Sequence, residues 1–221
     1  MEFFITGTDT GCGKTLVTLA FMEKLRVTGQ QVAGMKPVAA GAEMTGEGLR
    51  NDDALAIQAH CSQSFPYEII NPCCLQTPAA PHLAAEAEGR QIDIGRILAA
   101  ASQLRRTADH LVVEGAGGWR VPLTDNLDMA GLCRLLELPV VLVVGLKLGC
   151  INHALLSVES ILASGQPLLG WVANSLEKAM PFEEENIATL QQRIPAPLLG
   201  HVPRLTPPDP GRAAACLRLP A

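Results

Sequence analysis

Aromatic residues are scarce in this chain. One Tyr, two Trp and five Phe make up 4% of 221 residues, which leaves few platforms for stacking single-stranded nucleic-acid bases. Charge is also sparse and leans negative. The 17 Lys and Arg against 22 Asp and Glu give a formal net charge of −5, with no long basic block. The electrostatic footprint of a general nucleic-acid or anionic-membrane binder is therefore missing. No apolar run is long. Leu138–Leu146 spans nine residues before Lys147 interrupts it, whereas a bilayer span needs about 18 or more. The opening Met1-Glu2-Phe3-Phe4-Ile5 has neither a basic start nor a long apolar stretch before a small-residue cleavage site. No signal peptide is expected, and a cytoplasmic location is. The seven cysteines are an odd set with no C-x-x-C spacing, which reads as reduced core residues and not as a disulfide framework or zinc site. Repeats and Gly/Ser linkers are absent too, so one domain over 1–221 is expected, with the assignment fading after about residue 205. What remains is a small-molecule enzyme or a nucleotide-driven switch.

Alternating elements fill that frame. Short apolar runs at Phe3–Thr6, Gln31–Val38, His110–Glu114, Pro139–Gly145, Leu168–Asn174 and Leu198–Val202 read as buried strands. Between them, Ile94, Ile97, Leu98, Ala101, Leu104 and Ala108 fall on one helical face, as do Ile151, Ala154, Leu155, Val158 and Leu162. Further helices are expected near 13–28, 52–60, 128–137 and 182–193. The β-α-β-α order predicts an α/β fold of three layers, with a mostly parallel central sheet flanked by helices. Ligands in such sheets sit beyond the carboxyl ends of the strands. Those are the positions to read for chemistry.

Directly after the first strand comes Gly7-Thr8-Asp9-Thr10-Gly11-Cys12-Gly13-Lys14-Thr15-Leu16, with the layout of a P-loop. Glycine lets backbone approach a polyphosphate closely, N–H groups converge on its oxygens, and the helix N-terminus adds positive potential. Lys14 would reach the β- and γ-phosphates, and the Thr15 hydroxyl would ligate Mg²⁺. The spacing departs from the common pattern, because five residues and not four separate Gly7 from Gly13-Lys14-Thr15.

Mg²⁺ usually takes one or two carboxylates alongside the phosphates. Glu114 ends the run Leu111-Val112-Val113 and precedes Gly115-Ala116-Gly117-Gly118, which fills the place of a Walker B acid. Asp53, in Arg50-Asn51-Asp52-Asp53-Ala54, serves equally as a second ligand or, like Asp52, as a simple helix cap. Spacing does not choose between the two. Lys36, near the end of the second strand, reads on spacing alone as a snorkelling lysine.

Taken together, the P-loop block, Lys36-Pro37-Val38, Leu49-Arg50-Asn51 with Asp53-Ala54, Val113-Glu114-Gly115-Ala116-Gly117-Gly118-Trp119 and Lys147-Leu148-Gly149-Cys150-Ile151-Asn152-His153 resemble the dethiobiotin synthetase family. The blocks occur in order along nearly the whole chain. The resemblance implies a P-loop NTPase fold and an ATP- and Mg²⁺-dependent ligase of biotin biosynthesis. Such a ligase converts 7,8-diaminononanoate and CO₂ into dethiobiotin through a carbamate and a carbamic-phosphoric anhydride. It implies Lys36 and Lys14 as the catalytic cations and Thr15, Asp53 and Glu114 as metal ligands. Nucleotide contacts would come from Gly11 to Leu16, Asp53, Glu114 to Gly117, Asn174, Ser175, Val202, Pro203 and Arg204. Substrate contacts would come from Thr10 and Ala40, and from Gly149, Cys150, Ile151 and Asn152, the last four holding the substrate carboxylate across a homodimer interface.

Three positions depart from the family pattern. Ala40 stands where Ser is common, Gly11 where Glu is common, and Ser175 where Asp usually follows the Asn. The first two imply weaker diamine binding or a local rearrangement. Two other readings share the P-loop: a switch of the ParA/MinD class, or another amide- or urea-forming ligase on the same scaffold. The switch class carries an additional lysine early in its loop, and residues 7–12 contain none.

Overall fold

A computed structural model describes every residue except Thr28 and Ala221. In its first half the order is β1 (Glu2–Gly7), α1 (Lys14–Arg26), β2 (Val32–Met35), β3 (Val38–Ala39), β4 (Glu43–Thr45), β5 (Gly48–Arg50), α2 (Asp52–His60), α3 (Tyr67–Ile70), β6 (Cys73–Cys74), α4 (Pro81–Ala87) and α5 (Ile94–Arg105). There follow β7 (His110–Gly118), β8 (Pro122–Thr124), β9 (Leu127–Asp128), α6 (Met129–Leu135), β10 (Val140–Leu146), α7 (Cys150–Ala163), β11 (Leu168–Ser175), α8 (Glu183–Arg193), β12 (Leu198–Val202) and α9 (Pro210–Ala215).

Six strands form one sheet in the order β12-β11-β10-β1-β7-β2, and every neighbouring pair is parallel. Helices flank it, α1 packing with α2 and α9, and α7 with α8. All seven residues of β10 are buried, as are Phe3 to Gly7 of β1. Strands covered on both faces need continuous apolar runs, which is why these segments lack polar alternation. β1 lies between β7 and β10, so β2 and β7 are laid down on one side of it and β10 to β12 on the other. A crevice opens at such a switch point, above the carboxyl end of β1.

The second expected strand, Gln31–Val38, is two separate pieces. β2 pairs with β7 and stops at Met35, whereas Val38–Ala39 pairs with Cys73–Cys74 in a small sheet of its own. Pro37 has no N–H to continue a ladder, and Lys36 sits in the gap. The third expected strand, His110–Glu114, runs on to Gly118, so the glycine-rich stretch is a strand extension beside Gly7. The helix expected over 13–28 spans Lys14–Arg26, and Thr28 lies outside the described residues. The helices expected at 128–137 and 182–193 are Met129–Leu135 and Glu183–Arg193.

Candidate active site

The P-loop turns tightly enough that two glycines are required by geometry. A Cβ on Gly7 would collide with Cys12 Sγ, and one on Gly13 would collide with the Asn174 side chain. Gly13 also holds φ +90 as the residue before α1, a left-handed conformation that favours glycine. Asn174, buried at the end of β11, donates from Nδ2 to the carbonyl of Cys12 at 2.9 Å. Its amide therefore clamps the loop from beneath. Lys14 is buried and donates to the Asp9 carbonyl at 3.0 Å. Asp9 in turn receives Lys147, 2.5 Å from its Oδ2. That hydrogen bond holds the Asp9 carboxyl below its ordinary range.

The charged centre lies next to this loop. Lys36 is buried, its Nζ 2.5 Å from Glu114 Oε1 and 2.9 Å from Asp53 Oδ2. Thr15 Oγ1 donates to the same Glu114 oxygen at 3.0 Å. Burial opposes the Lys36 charge, but Glu114 and Asp53 outweigh it and hold the ammonium above its ordinary pKa. For Asp53, burial is likewise outweighed, chiefly by Lys36 with help from Thr15 and Lys14, and its carboxyl sits below the usual range.

Residues for a divalent cation are present. Glu114 is fully buried, and its Oε2 has no hydrogen-bond partner. A buried carboxylate oxygen left unpaired is costly, and a hard cation held by Glu114, Asp53 and the Thr15 hydroxyl would satisfy it. This set fits Mg²⁺.

Around the centre opens a cleft of about 650 Å³. Its walls include Thr10, Gly11, Gly13, Lys14, Thr15, Lys36, Ala40, Asp53, Glu114, Ala116 and Gly117. Of the positions singled out from sequence, these are the ones brought together. Asn51, Val121 and Pro78 to Pro81 also line it. Asn51 belongs to the Leu49-Arg50-Asn51 block, whereas no motif marked Val121 or Pro78 to Pro81, because their contribution is a shaped and largely apolar wall.

The remaining positions lie outside those walls. Cys12 is buried beneath the loop and Leu16 lies on α1. Gly115 packs against Phe4 and Met129. Ser175 Oγ is 2.8 Å from His201 Nε2, Val202 is buried, and Pro203 and Arg204 are exposed. Gly149, Cys150, Ile151 and Asn152, at the start of α7, do not line the cleft.

One capping assignment is corrected. Asn51, not Asp52 or Asp53, caps α2, its Oδ1 accepting from Ala54 N at 3.3 Å. That leaves the Asp53 carboxylate free to face Lys36. At the start of α7 there is no such cap. Gly149, in a left-handed conformation, precedes the helix without any side-chain cap, and Asn152 lies inside it, exposed.

A family model described as an AAA domain matches residues 1–211. The ATP-dependent dethiobiotin synthetase of Cellvibrio japonicus is 54% identical over 217 residues, covering 98% of this chain and 95% of that protein. Its counterpart from Aromatoleum aromaticum is 52% identical over 219 residues, covering 99% and 97%. Among solved structures, the septum site-determining protein MinD of Pyrococcus horikoshii, complexed with Mg-ADP, superposes with a TM-score of 0.58 at 14% identity, covering 97% of this chain and 95% of that one. A ParA family ATPase from Chlorobium tepidum gives 0.57 at 14%, covering 92% and 85%. At that identity the likeness to MinD and ParA shows the P-loop NTPase fold alone. Identity above one half along nearly the full length, on a scaffold that gathers Lys14, Lys36, Asp53 and Glu114 at one strand end, shows that this chain belongs to the ATP-dependent dethiobiotin synthetase family.

Proposed function

We propose that the chain is a cyclo-ligase using ATP to convert 7,8-diaminononanoate and CO₂ into dethiobiotin. The observation that carries this reading is the buried Lys36 ammonium held between Asp53 and Glu114 beside the P-loop lysine. A switch needs a nucleotide site alone, whereas this cleft adds a second cation and an apolar wall suited to an aliphatic substrate. Negative charge develops on carbamate and γ-phosphate oxygens during the reaction, and fixed cations in a site sheltered from water stabilise it strongly.

Lys14 faces the terminal phosphates in this reading, and Lys36 faces the carbamate and the transferred phosphoryl group. Thr15, Asp53 and Glu114 hold Mg²⁺, which when bound neutralises phosphate charge. Ala40 replaces a hydroxyl with a methyl at the substrate wall, so binding there relies on backbone, water and shape. The α7 start does not line the cleft of its own chain, which suits a carboxylate site supplied to the second copy of a homodimer. Residues 1–221 then act as one synthetase domain.

The deciding experiment is ATP hydrolysis with and without the diamine and bicarbonate. Phosphate release that requires both is the expected result. Equal turnover without the diamine would remove the reading.

A further inference from the structure

Lys36 occupies an unusual backbone position. It follows the end of β2 and precedes Pro37, so no ladder of the main sheet satisfies its peptide groups. They are satisfied by one short segment instead. Lys36 N donates to the Ile70 carbonyl at 2.8 Å, and Asn71 Nδ2 donates to the Lys36 carbonyl at 2.6 Å and to that of Cys73 at 3.3 Å. Asn71 is buried, and its Oδ1 accepts from the Tyr67 hydroxyl at 3.1 Å.

The same hydroxyl also reaches the other side of the site. Tyr67 Oη accepts the backbone N–H of Asn51 at 2.8 Å, and Asn51 is the cap of the helix that carries Asp53. The Arg50 guanidinium lies over the Tyr67 ring, 4.3 Å from its centroid. A closed circuit results. It runs from the Lys36 carbonyl through Asn71, Tyr67 and Asn51 to α2, then through Asp53 back to the Lys36 ammonium. Asn71 donates both amide hydrogens, and the Tyr67 hydroxyl donates to Asn71 and accepts from Asn51, with Cys74 Sγ also 3.5 Å from its oxygen. A hydrogen bond at each link holds the Lys36 backbone and the start of α2 at a fixed separation, which is what an ammonium placed between two carboxylates needs.

We propose that Tyr67 and Asn71 are positioning residues that set the distance between Lys36 and Asp53 through this hydrogen-bonded circuit. The proposal rests on the reading of Lys36 as catalytic and Asp53 as a metal ligand. Neither Tyr67 nor Asn71 lines the cleft, so their influence on turnover passes through the residues they hold.

Tyr67→Phe removes one oxygen and keeps the ring under Arg50. With one hydrogen-bonding relay lost, kcat is expected to fall about three- to tenfold at saturating ATP and diamine. The dissociation constant for ATP, measured by calorimetry, should stay within a factor of two (about 0.4 kcal/mol). Hydrogen exchange at the Asn51 amide should accelerate in the free variant. Asn71→Asp, which removes both donors while keeping the acceptor for Tyr67, should reproduce the kcat loss. Normal kcat in Tyr67→Phe, beside an inactive Lys36→Ala, would overturn the positioning role alone. Equal losses of kcat and ATP affinity would overturn it as well, because they indicate general loosening. Full activity in Lys36→Ala would overturn the underlying reading, and this proposal with it.

Discussion

Lys36 keeps its charge where water hardly reaches, and two carboxylates make that possible. Replacing it with Ala removes a cation from developing oxyanion charge, and kcat should fall on the order of 10²–10³-fold while ATP binding, read by calorimetry, survives. Lys14→Ala should instead abolish nucleotide binding, since its side chain is aimed at the loop that cradles phosphate. If the two variants behaved alike, the division of labour between them would be wrong. Acid stability offers a separate check on Asp53. Its carboxyl is held below the usual range, so its contribution is complete above an unfolded value of about 3.9 and is lost as pH falls through the folded one. Lys36 has the opposite sign: its contribution is present below 10.5 and lost as pH rises through the raised folded value. Asp53→Asn should therefore flatten the decline of Tm below about pH 4. Curves that stay parallel to wild type through that region would contradict the pairing. At this scale the P-loop and Glu114 were legible in the sequence because each is a contiguous block whose spacing carries the chemistry. Asp53 was half legible, since a helix cap and a metal ligand share residue type and place. That Asn51 does the capping removes the first of these readings. Tyr67 and Asn71 were not legible at all: their partners are Lys36 and Asn51, brought near only by the fold.

The elements show where periodicity informs and where it fails. Buried strands and amphipathic helices such as α5 and α7 fall close to their expected bounds, because burial of one face is written into every turn. The break at Pro37 was missed because apolar residues flank Lys36-Pro37 on both sides, and composition cannot tell one strand from two strands in different sheets. Short pieces such as α3 and α4 have too few turns for a period to emerge. The cap of α2 gives a test at this level. Asn51→Ala should cost about 1 kcal/mol of stability, lowering Tm by roughly 2–4 °C in a chain of this size. An unchanged melting point would mean that the Tyr67 contact to the Asn51 backbone already holds the helix start.

Across the whole molecule, two of the exposed apolar residues lie where the proposed second copy would sit. Leu148 is 96% exposed just before α7, and Leu156 on that helix is 57% exposed, beside the segment assigned to the carboxylate of a neighbour's substrate. Sedimentation should show a dimer. Leu156→Glu should weaken it and raise the KM for the diamine while leaving ATP affinity intact, whereas a monomeric wild type with full activity would remove the shared site. No helix among the described residues is long and apolar enough to cross a membrane, in keeping with the short apolar runs.

The placement of β1 has a consequence for how the molecule comes into being. Its two ladder partners are His110–Gly118 and Val140–Leu146, both far later in the chain. During synthesis the phosphate loop therefore emerges well before β7, its first ladder partner, and the sheet around β1 is incomplete until β10 has left the ribosome. Pairing at such separations closes slowly and leaves apolar edges uncovered meanwhile. Truncation before Val140 should yield an insoluble product with no nucleotide site, even though every residue of the loop is present.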